Sequence, residues 1–292
     1  MREQMNYFYS PKNKVYQKLV ADPLFSPVIT YLNEQPEPVI LRELKKVFPQ
    51  RKFEHFLDQL IEAGLILREE RRYKLNFPIF TENEASYQEI IANQVQRLSE
   101  QLSKFSQVEQ QFIVGETLWS TCFEEDNQAF YGYEGEGETT RKTIAGNEDY
   151  QFVSISTTEN FPVTLANYFF VQKNKPTQFP NFFSLATLLG DVNESYYFDQ
   201  VEVIIERVRL NKFKNRRPNI FLESLIQTKT IQAEPTFELL LPVLESKKEL
   251  TAIQFTEIVD LTESELAFVN RRIYEEVKKT LGLTVYSYIK AK

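Results

Sequence analysis

The sequence predicts an α+β fold, rich in helix, and three observations carry that prediction. Apolar residues recur at helical spacing in successive segments, as in Phe53, Phe56, Leu57, Leu60 and Ile61. Two alternating runs, Leu65 with Leu67 and then Tyr73 with Leu75 and Phe77, flank a charged tip from Arg68 to Arg72, the pattern of a β-hairpin. The composition is globular, with 42% hydrophobic and 26% charged residues, which argues against disorder and against a membrane span. Because single cores stop growing near ~250 to 300 residues, a chain of 292 residues is expected to hold several units. The expected layout is an N-terminal arm and helical module over 1–82, a connecting helix over 83–111, a mixed α/β body over 112–232 and a helical C-terminal unit over 233–292, the last with a helix-turn-helix-like pair.

From Pro23 the elements are legible in order. PLFSPVITYLNEQ reads as a helix, LRELKKVF as a short second helix, and RKFEHFLDQLIEAG as a third that Gly64 would end at C′. LILREERRYKLNF then supplies the hairpin. Three helices followed by a hairpin, with the phrase LIEAGLILREERRYKLN, resemble the winged helix-turn-helix family over residues 22 to 80. The resemblance implies a third helix and wing that bind duplex DNA in many members and bind only proteins in others. ASYQEIIANQVQRLSEQLSKFSQVEQQF reads as one long polar helix. Its Ile91, Val95, Leu98, Leu102 and Phe105 form an a/d seam, which either lies on the chain's own core or pairs with a second copy in a homodimer.

FIVGETLWSTCF fits a strand or a buried helix, and AFYGYEGEGETTRKTIAGNEDYQFVSIS fits two strands around a glycine-rich loop. After the turn-rich NKPTQFPN come NFFSLATLLG, with Gly190 as C-cap, and a helix capped by Asp191 or Asn193 whose buried stripe is Val201, Ile204, Ile205 and Val208. A basic loop, NKFKNRRPN, leads to the helical FLESLIQT. FELLLPVLES is apolar and expected to be helical, while LTAIQFTEIVDL is ambiguous. Thr262 with Glu265 forms a capping-box pattern before a helix striped by Leu266, Val269, Ile273 and Val277, Gly282 ends it, and LTVYSYIK fits a terminal strand.

The composition also bounds function. The net charge of -7 disfavours a whole-surface attraction to nucleic acid or anionic lipid, so any such binding must be local. With 24 Phe and 15 Tyr against 2 Met and 1 Trp, ring-rich cores are expected. Cys122 is the only cysteine, which excludes an intrachain disulfide and fits a reducing compartment. No apolar stretch fits a signal-peptide core or a membrane helix, so a cytoplasmic protein is expected.

Two cation groups stand out as candidate contacts for nucleic acid or an acidic partner. One is Arg51 with the wing residues Arg68, Arg71, Arg72 and Lys74. Against it, the outward face of the third helix carries His55, Asp58 and Glu62, flanked by Glu54 and Gln59, and acids there repel phosphate. The other is Arg207, Arg209, Lys212, Lys214, Arg216 and Arg217, with Phe213 available to stack; a solvated helix end would account for the same run.

Three further patterns are weaker. YGYEGEGETTRKT lacks the Gly-Lys-Ser/Thr of a phosphate loop, and Glu134, Glu136 and Glu138 would repel phosphate, so it reads as a hairpin tip. The groups Glu124, Glu125, Asp126; Glu148, Asp149; and Asp191, Glu194, Asp199 could hold a hard metal ion, but among 41 acids such groups arise by chance. Cys122 and His55 fall in different expected units, which counts against a nucleophile and base, and with one of each a structural zinc site is implausible.

Beyond the hairpin, ILREERRYKLN, FIVGETLW and LLGDVNESYYFDQV are similar to an uncharacterised family of cytoplasmic proteins from lactic acid bacteria, classed as a domain of unknown function. That resemblance implies no activity and no catalytic residues. The expectation is a non-enzymatic regulator without cofactor or metal, with DNA or a protein as partner; the alternatives are an interaction scaffold with a purely structural winged helix and, last, a metal-dependent hydrolase using clustered carboxylates.

Overall fold

The computed structural model describes residues 5–10, 12–81, 84–123, 129–135, 140–174, 180–215, 217–245, 253–255, 258 and 260–291. The architecture is α+β.

The chain opens with strand β1 (Met5–Tyr9) and helix α1 (Lys14–Val20), whose N-cap Asn13 accepts from the Tyr16 amide. Helix α2 (Phe25–Asn33) buries Phe25, Val28, Ile29 and Leu32, the i, i+3, i+4, i+7 set of one helix face. A two-residue strand, β2 (Val39–Ile40), leads directly into α3 (Leu41–Val47), and α4 (Phe53–Glu62) follows with Phe53, Phe56, Leu57 and Leu60 inward. Gly64, at φ 72°, ends α4: its amide donates to the Ile61 carbonyl and the Leu65 amide to the Leu60 carbonyl. This is the double closure of a Schellman motif, whose left-handed position glycine occupies without strain. Strands β3 (Ile66–Glu69) and β4 (Arg72–Leu75) form the expected hairpin, with Glu70 and Arg71 both at positive φ in its two-residue turn. β2 pairs antiparallel with β4, giving a sheet of order β2-β4-β3. β2 has no counterpart in the sequence reading, because two residues carry no period.

Strand β5 (Ile79–Thr81) precedes α5 (Ala85–Leu102) and α6 (Gln107–Ile113). The single long helix expected here is broken, because Ser106 and Glu109 close a capping box at the start of α6. The Gln110 side-chain amide donates to the carbonyls of Leu102 and Phe105 at the break. Leu98 and Leu102 of the expected seam are fully buried within this chain, whereas Ile91 and Val95 are half-buried. FIVGETLWSTCF is helical: the end of α6, a π-helical turn over Val114–Leu118, and α7 (Trp119–Cys122).

Strands β6 (Phe130–Glu134), β7 (Arg141–Gly146) and β8 (Tyr150–Ser156) follow, then α8 (Leu165–Asn174), α9 (Phe183–Leu189), α10 (Glu194–Arg209) and α11 (Ile220–Gln227). Asn193 caps α10 and Asn219 caps α11. The chain closes with β9 (Ile231–Gln232), β10 (Glu238–Leu239), β11 (Val243–Glu245), α12 (Glu263–Thr280) and β12 (Tyr286–Ala291). The helix expected over FELLLPVLES is therefore incorrect: β10 and β11 flank Pro242, which has no amide for a helical bond and whose carbonyl accepts from Ile289. The glycine-rich segment is not a hairpin tip either. β6 lies between β1 and β5, whereas β7 pairs with β8 in the sheet of order β11-β12-β8-β7.

Two compact units result, one from residues 1–94, 120–137 and 256–273, the other from 95–119, 138–255 and 274–292. The core of the first gathers α1 to α4, the hairpin and β6, with Phe130 inserted among the rings of Tyr7, Tyr9, Tyr16, Phe25 and Phe77. The core of the second is built on the inner faces of β7, β8 and β12, covered by α8, α10 and α11. Among the described residues no helix is long and apolar enough to cross a membrane.

Candidate functional site

In the first unit the cations predicted for the wing are individually accounted for. Arg72 donates from Nη1 to the Pro38 carbonyl at 3.0 Å, which ties β4 to the strand before α3. Lys74 pairs with Glu69 at 2.9 Å across the hairpin, and the Arg68 guanidinium lies 5.7 Å from the Tyr73 ring centroid. Only Arg71, on the turn itself, projects without a partner among the described residues. A second group in the same unit has no signal in the sequence: Arg42 and Lys46 of α3, and Lys52 beside the predicted Arg51 in the α3–α4 turn, are all exposed. Helical numbering hides this group, because its members are divided between α3 and the turn that follows it. Lys45 is spent on Glu54 in an ion pair. The outer face of α4 exposes His55, Asp58 and Glu62, as its sequence pattern predicts.

In the second unit the basic run divides. Arg209, although exposed, is engaged by neighbours, donating to the Tyr150 hydroxyl at 2.7 Å and to Glu206 at 3.4 Å, with Glu245 at 3.9 Å. It is a structural residue joining α10 to β8 and β11. The exposed Lys212 follows Asn211, which takes a left-handed φ of 54° where a Schellman closure ends α10. Arg207, Lys214 and Arg217 line a solvent-open cleft of about 560 Å³ between α10 and the start of α11. Among the described residues no carboxylate lines that cleft and none pairs with these three cations. Arg216 lies outside the described residues.

A third arrangement was not visible in the sequence. Glu116, on the π-helical turn, accepts from Lys142 Nζ at 2.7 Å, Lys290 Nζ at 2.6 Å and the Tyr288 hydroxyl at 2.8 Å. Burial pushes the Glu116 carboxyl up, but the charge of Lys142 and the bonds from Lys142, Lys290 and Tyr288 outweigh it and hold the group below its ordinary value. A carboxylate held by three donors joins the helix to β7 and β12 and is committed to that network.

The remaining candidates dissolve on geometry. Cys122 and His55 belong to the same unit after all, but Cys122 is buried and desolvation pushes its thiol far up despite the opposing charge of Arg271, so no thiolate forms. His55 is exposed on α4. Glu194 pairs with Lys173, and Asn193 is committed as a helix cap. Glu124, Glu125, Asp126, Glu136 and Glu138 lie outside the described residues, and among those described no group of three or more His, Cys, Asp or Glu converges as a metal site.

Residues 6–105 match the family described as a domain of unknown function, DUF1803. No curated protein and no solved structure matches the chain. The DUF1803 segment runs from β1 to just beyond α5 and holds the whole β2-β4-β3 sheet with α2, α3 and α4. The basic cleft falls outside it, and so does β6, the strand on which β1 and β5 both pair.

Proposed function

We propose that the DUF1803 segment is a winged helix that contacts the phosphate backbone of duplex nucleic acid, within a non-enzymatic regulatory protein. The observation that carries this reading is the pairing of β2 with β4, which completes the connectivity helix, strand, helix, helix, hairpin around one sheet. Lys46, Arg51, Lys52 and Arg71 supply exposed charge at the α3–α4 turn and at the tip of the wing. Lys52 occupies the N-cap of α4 without a side-chain cap hydrogen bond, and the Phe53 amide is taken by the Gln50 carbonyl, so an anion at this end would be held chiefly by the side chains of Arg51 and Lys52. Asp58 and Glu62 oppose close approach of α4 to a groove floor, which makes the contact one of backbone more than of base edges. The same acids favour a second reading, a winged helix that docks a basic protein surface.

Polarisation of a labelled duplex separates the two. Reversing Arg51 and Arg71 (Arg51→Glu with Arg71→Glu) removes two cations from the phosphate-facing surface and adds two repulsions, so affinity at low salt should fall at least about tenfold while the fold is retained. Unchanged affinity, or no binding by the natural protein, would leave the protein-docking reading.

A further inference from the structure

We propose that the cleft between α10 and α11 is a binding site for a small phosphorylated ligand with a flat apolar body, of the nucleoside monophosphate class. It lies in the second unit and goes beyond the nucleic-acid reading, which concerns the first. Six cations occur in this stretch of sequence, and the fold treats them unequally. Arg209 is engaged by Tyr150, Glu206 and Glu245, whereas Arg207, Lys214 and Arg217 face a common space with no acid among the described residues on its walls. Cations gathered merely to complement the C-terminus of α10 would not need to converge, and Lys214 and Arg217 lie beyond that helix.

The volume, about 560 Å³, suits one small molecule. The walls supply the second half of the specificity. Phe213 is held edge-on by Phe237 at 5.0 Å, and Phe221 is fixed against Tyr197 at 5.7 Å, so both cleft rings are positioned in advance. A planar base against such a ring, with its phosphate between guanidinium and ammonium groups, satisfies the apolar and the charged linings together. The helix end contributes little. The Asn219 side chain already accepts from the amides of Phe221 and Leu222, so the anion must be held by side chains.

The test is calorimetric titration of the full chain with adenosine monophosphate, inorganic phosphate, adenosine and a single-stranded oligonucleotide. The expected result is saturable one-to-one binding of the monophosphate, with adenosine at least about tenfold weaker, the scale of one charge-assisted bond. Lys214→Ala with Arg217→Ala should weaken the monophosphate by the same factor or more. These residues are exposed, so the melting temperature should hold, and Arg207→Ala provides an independent second variant. Absence of saturable binding overturns the proposal, as does an affinity indifferent to both variants. An oligonucleotide that binds more tightly and displaces the monophosphate also overturns it, in favour of a strand-binding surface.

Discussion

Glu116 ties two lysines and a tyrosine together inside the second unit. Its side chain is 17% exposed, and those of Lys142 and Lys290 are 10% and 29% exposed. Burial pushes the Tyr288 phenol well up and the charge of Glu116 adds to this, so Tyr288 remains a protonated donor. Gly115 beside it admits no side chain, because a Cβ there would sit 2.9 Å from a Tyr288 ring carbon. Replacing the carboxylate removes the anion that the two partly buried ammonium groups share, so Glu116→Gln should lose roughly 2 to 4 kcal/mol of stability at neutral pH, read as a lower urea midpoint. The sign of the pH dependence follows from the lowered carboxyl value. The native advantage is complete above the ordinary value of 4.5 and is lost as the pH falls through the lower folded-state value. Natural protein and variant should therefore converge in acid; an equal gap at every pH would mean that the network does not depend on the Glu116 charge.

At the scale of elements, β6 matters most, because it joins β1 and β5 and carries Phe130 into the first core. Phe130→Ala should cost about 3 to 5 kcal/mol by opening a cavity among five rings, seen as a lowered unfolding midpoint with the wing still intact. A loss below about 1 kcal/mol would show that the cavity collapses and that the ring cluster is not what holds β6 in place. The sequence made the locally determined elements legible. Apolar spacing gave α2 to α4, Gly64 and Gly190 marked helix ends, and Thr262 with Glu265 formed its capping box. It hid what depends on distant partners. β2 is recognisable only through β4, the two glycine-flanking strands pair away from each other, and β11 is made by β12 despite its apolar, helix-like composition. The cleft was half legible. The basic run stands in the sequence, but which cations remain free depends on Tyr150 and Glu245, which claim Arg209 from far along the chain.

For the whole molecule, the question is how a chain of net charge -7 would hold a polyanion. A local patch suffices, because counterion release depends on the phosphates neutralised at the binding surface and not on total charge. On the proposed reading, the acidic remainder weakens non-specific attraction and leaves the contact to the exposed Arg51, Lys52 and Arg71. The measurement that tests this most directly is the salt dependence of duplex binding by the full chain, natural and with Arg71→Glu. The account predicts a linear fall of log affinity with log salt, and a slope shallower by about 1 in the variant, the share of a single phosphate that Arg71 no longer neutralises. A slope unchanged by Arg71→Glu, or binding indifferent to salt, would contradict it.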